Sequence, residues 1–90
     1  MFRFKNLYPD RDELEGDIQE MLTLLKLTGQ VKVVYSLEYL SYVVYAQFEY
    51  AGKKWDVPPY PMEELNQESN VECVKYMREI IQRKIDELSS

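Results

Sequence analysis

The sequence predicts an α+β fold: a three-stranded antiparallel meander with two helices packed on one face, in the order α-β-β-β-α. Three observations carry the prediction. Residues 30–57 form the one stretch rich in valine and tyrosine, the residue types that suit a pleated, half-buried surface. Apolar residues recur at helical spacing on both sides of it. At 90 residues the chain holds one small core, and it reads as a single domain.

Residues 1–9 read as an N-terminal arm carrying Phe2, Phe4, Leu7 and Tyr8. Asp10 then stands as an N-cap, with Glu13 three residues later in capping-box spacing. Leu14, Ile18, Met21, Leu22 and Leu25 make one apolar stripe. Gly29 stands where a C-terminal glycine cap belongs, so a helix is predicted over 10–28.

The first strand covers 30–36, with Val31, Val33 and Tyr35 alternating against Lys32, Val34 and Ser36. Residues 37–41 connect it to the next strand without the Gly or Asn of an obvious turn. In the second strand, 42–51, Tyr42, Val44, Ala46, Phe48 and Tyr50 share one face. Val43, Tyr45, Gln47, Glu49 and Ala51 share the other. Gly52 with Lys53 supplies a turn into a short third strand over 55–57, which Pro58 and Pro59 stop. Residues 58–68 read as a proline-rich crossing loop. Ser69 and Glu72 repeat the capping-box spacing and open a helix over 69–89. Its stripe is Val74, Met77, Ile81, Ile85 and Leu88, widened by Cys73 and Ile80.

Composition removes several function classes. The net charge of −5 argues against a general phosphate-backbone binder. There is no histidine, which takes away the commonest general base near neutral pH and the commonest transition-metal ligand. Cys73 is the only cysteine, so no intramolecular disulfide is expected and a cytoplasmic setting fits. The first ten residues lack an apolar signal-peptide core, and no run reaches membrane-spanning length. Residues 10–16 superficially follow a calcium-loop pattern, but Leu14 replaces its third ligand and Gly16 falls one place late. No catalytic residue, cofactor or metal site is expected, and the reading is non-enzymatic.

The order α-β-β-β-α resembles that of double-stranded-RNA-binding domains, whose second helix opens on a lysine-rich, phosphate-gripping run. Here the corresponding residues are Glu68, Ser69, Asn70, Val71 and Glu72, so the resemblance extends to inferred topology alone. What remains is protein–protein interaction. Two surfaces are candidates for partner binding. If the helices cover the face of Val44 and Phe48, then Val34, Val43 and Tyr45 lie uncovered, with Tyr39 nearby, and the alternative is that the N-terminal arm or residues 58–61 fold over them. On the first helix, Asp12, Glu13, Glu15, Asp17 and Glu20 form an acidic surface. Small size and acidity resemble inhibitors or adaptors encoded by phages and mobile elements, with a homodimer as one arrangement. The alternative is nucleic-acid binding through Lys53, Lys54, Lys75, Arg78, Arg83 and Lys84.

Overall fold

The computed structural model describes residues 11–89. The N-terminal arm over 1–9 and the Asp10 cap lie outside the described residues. The order is α1 (Arg11–Leu24), β1 (Gly29–Ser36), β2 (Ser41–Tyr50), β3 (Lys53–Met62) and α2 (Gln67–Ser89). The strands form an antiparallel meander, β1-β2-β3, with both helices on one face. Leu14, Ile18, Met21 and Leu22 of α1 meet Cys73, Met77 and Ile81 of α2 over Val33, Val44, Ala46, Phe48, Val57 and Met62. Cys73, on the flank of its stripe by spacing, is wholly buried in the core.

Helix α1 ends four residues before the predicted limit, and Gly29 is not its cap. The Lys26 amide donates to Thr23 O at 2.9 Å and the Leu27 amide to Leu22 O at 2.9 Å. That crossed pair is a Schellman closure, and Lys26, at φ 62°, takes the left-handed position. Gly29 instead opens β1, paired with Phe48. A Cβ there would collide with the Gln47 carbonyl oxygen and approach Leu22 Cδ1 at 3.0 Å. The glycine serves close backbone approach rather than helix termination.

Helix α1 also engages the open edge of the sheet at two points. The Val33 amide donates to Glu15 Oε2 at 2.8 Å, and Gln19 Nε2 donates to Gly29 O at 3.2 Å. Two side chains one turn apart on α1 therefore satisfy edge groups of β1 that would otherwise invite another strand.

The prolines do not stop β3. The strand runs ten residues, through Pro58, Pro59 and Pro61, so the crossing loop shrinks to residues 63–66. Two features accommodate them. Val44 pairs with Tyr60 and Ala46 with Val57, so Pro58 and Pro59 together oppose Tyr45 in a β-bulge. β3 is also an edge strand. Because the Val33 amide points away from β2, alternation turns Pro61 outward, where no ladder donor is missed. The β2–β3 turn is Ala51–Gly52, not Gly52–Lys53, and φ values of 56° and 79° make it a type I′ hairpin.

Helix α2 begins two residues before the predicted start because Asn66, not Ser69, caps it. Asn66 Oδ1 accepts from the Ser69 amide at 2.9 Å, and Asn66 O accepts the first helical bond, from Asn70 N, at 2.9 Å. Asn66→Ala should cost about 1 kcal/mol. In a domain of this size that lowers the melting temperature by about 4–8 °C. Thermal circular dichroism reads it directly, and an unchanged melting temperature would refute the cap.

Candidate interaction surface

The two ends of the sheet differ in chemistry. At one end the β1–β2 turn, residues 37–40, carries Leu37, Tyr39 and Leu40 with 81, 55 and 73% of their surface exposed. Behind it, Tyr35 and Tyr42 pack edge to face at 5.2 Å, a rigid aromatic base for the turn. The Tyr39 amide donates to Ser36 Oγ at 3.2 Å, which helps hold the loop without a glycine. Leu40 takes φ 56°, a left-handed conformation that costs a leucine about 1–2 kcal/mol. Sequence reasoning named Tyr39 here and missed Leu37 and Leu40. The available signal was three large apolar residues in a connection that a soluble hairpin normally fills with polar ones.

Among the described residues, Val34, Val43 and Tyr45 on the outer sheet face do not form one open apolar patch. Val43 is wholly buried (0% exposed), between its register partners Val34 and Pro61. Val34 is half-buried. Tyr45 is exposed but lines an open depression with Lys32, Gln47 and Asp56, and Gln47 Nε2 donates to Asp56 Oδ1 at 3.1 Å. A bulge opposite Tyr45 and a chain of polar neighbours break up what alternation alone made contiguous. Val43 is therefore withdrawn as a partner-contacting residue.

The acidic surface of α1 is likewise divided. Asp12, Glu13, Asp17 and Glu20 are exposed, whereas Glu15 is half-buried and engaged with the Val33 amide. Asp17 and Glu20 line a groove between the helices rather than an open face.

Five of the six cations of the nucleic-acid alternative divide between two places, the start of β3 and the groove between the helices. Lys53 and Lys54 adjoin the β2–β3 turn. Lys84 lies over the Trp55 ring at 4.9 Å and pairs with Glu87 at 3.2 Å. Lys75 and Arg78 belong to the interhelical groove. Glu68 and Glu72, at the start of α2, are exposed.

Cys73 is a core group rather than a nucleophile. Burial pushes its thiol up from 9.0 to about 12, so it stays protonated. Between those values the unfolded chain has lost a proton that the folded chain retains, so stability falls as pH rises through that window. Tyr60, raised above 10.0 mainly by burial and then by Cys73, Glu72 and Tyr76, adds to the loss. Cys73→Ala should flatten the decline between pH 9.0 and the ordinary tyrosine value of 10.0, measured as denaturation midpoints. An unchanged slope would refute it.

Among the described residues no helix is long and apolar enough to cross a membrane, and no three side chains gather as a metal site would require. No protein family, curated protein or solved structure matches the chain.

Proposed function

We propose that this protein is a non-enzymatic interaction module that presents its β1–β2 turn to a protein partner. The observation that carries the reading is the exposure of Leu37, Tyr39 and Leu40 on one four-residue loop, with a leucine in the left-handed region. A left-handed residue helps to close the turn, as Ala51 does at the other end of the sheet, but here the place falls to an exposed leucine rather than a glycine or asparagine. Backbone strain of this kind concentrates at ligand clamps. A tyrosine anchor amid apolar neighbours is also a usual centre of an interface. An inhibitor or adaptor role, of the kind small proteins of phages and mobile elements perform, fits an acidic body with an apolar tip.

Leu40→Gly separates stability from binding. Glycine removes the left-handed strain and deletes no buried contact, while its own unfolded-state freedom offsets part of the gain. The fold should hold its stability or gain up to about 1 kcal/mol. Combined with Tyr39→Ala, it should weaken partner binding about thirtyfold, the value of a single strong anchor. Calorimetric titration against the captured partner measures this. Unchanged affinity would end the proposal.

A further inference from the structure

The groove between the helices carries an observation independent of the turn. Both helices run in the same direction. On α1, Glu15 lies at Val33 and Gln19 at Gly29. On α2, Tyr76 stacks on Tyr60 at 4.8 Å, Lys84 lies over Trp55, and Ser89 reaches Tyr50 at 2.8 Å. Along their junction runs an open groove of about 550 Å³ with Met21, Leu25 and Val74 in its floor. Leu24 and Val71 also line it, 76% and 62% exposed.

Its rims are opposite in sign. α1 contributes Asp17 and Glu20, and α2 contributes Lys75 and Arg78. These four form no ion pair with one another among the described residues. An interface between identical copies must be self-complementary, because the same patch serves both sides. A two-fold axis along this groove lays α1 of each copy over α2 of the other. Acid then meets base on both sides of a shared apolar strip.

We infer that the groove is a homodimer interface, closed by Leu24 and Val71 and set in register by Asp17 and Glu20 against Lys75 and Arg78 of a second copy. The occupant is a second copy because a groove with acids on one rim and bases on the other is complementary to itself. A dimer of this kind also enlarges a core that is small for one chain. Exposed rim charges act over about 10 Å at moderate salt, so the dimer weakens as salt rises.

The test is the solution mass by light scattering from about 1 µM to 1 mM, the range over which mass action reveals a modest dimer. Three proteins are compared: the wild type, an all-basic variant (Asp17→Lys with Glu20→Lys) and an all-acidic variant (Lys75→Glu with Arg78→Glu). The wild type should dimerise and each variant alone should be monomeric. Mixed in equal amounts, the two variants should form a heterodimer. Leu24→Glu, at an exposed position, should abolish the dimer with an unchanged circular dichroism spectrum. A wild type that stays monomeric overturns the inference, as do variants that dimerise alone or a mixture that does not associate. A dimer lost only with Tyr39→Ala and Leu40→Gly would place self-association at the turn and would also overturn it, without touching the turn's role in binding.

Discussion

Phe48→Ala should cost about 3–5 kcal/mol, a large part of the stability of a domain this small. Phe48 is almost wholly buried in the central strand, with Gly29 opposite it on β1 and Trp55 on β3. Its ring belongs to the cluster where both helices meet the sheet. Its two cross-strand neighbours cannot fill the space: Trp55 is held by its indole N–H donating to Tyr50 O at 3.0 Å, and Gly29 has no side chain to move. Urea denaturation read by circular dichroism should show a partly unfolded population before denaturant is added. A loss below about 1 kcal/mol would mean that the helices do not pack on this face.

Gly29→Ala should cost about 1–3 kcal/mol by overpacking, through a different cause. The new methyl would strike the Gln47 carbonyl oxygen and lie 3.2 Å from Phe48 Cα, both backbone atoms of the partner strand. A side chain could rotate away; a strand cannot, so the β1–β2 ladder must shift. Gly16→Ala is the internal control. It lies in α1 with nothing within 4 Å of the added carbon, and it should stabilise by about 0.5–1 kcal/mol through helix propensity. If both substitutions were equally benign, the close approach would be refuted and Gly29 would be an ordinary strand residue.

The fold was legible where the physics is periodic. Leu14, Ile18, Met21 and Leu22 recur on one helical face, and Val44, Ala46 and Phe48 on one strand face; all are buried as that spacing requires. It was less legible where a local rule has two solutions. A glycine after a helix can be its cap or the opening of a strand. Here Lys26 takes the left-handed position and leaves Gly29 to the ladder. Prolines end a central strand, but an edge strand with a bulge keeps them, and which strand is an edge is a tertiary fact. Asn66 and Ser69 are both good N-caps, and neighbouring residues decide between them.

The candidate site was legible only in part, for the same reason. Strand alternation put Val43 and Tyr45 on the outer face. It did not reveal that Val43 is enclosed or that Tyr45 has polar neighbours. Tyr39 was singled out through its place in a connection, whereas Leu37 and Leu40 became informative only once the turn was seen to expose them. The charges on α1 divide between the β1 edge, through Glu15, and the groove, through Asp17 and Glu20. That division follows from how α1 is rotated on the sheet, which helical periodicity alone leaves open.

The most direct test of the turn as the functional surface is quantitative co-purification from the cells that make this protein. The wild type is compared with Tyr39→Ala/Leu40→Gly and with Lys53→Glu/Lys54→Glu, a control at the opposite end of the sheet. Partners held by the wild type should fall at least about tenfold with the turn variant and remain with the control. Partners retained equally by the turn variant, with its fold intact by circular dichroism, would contradict the proposal.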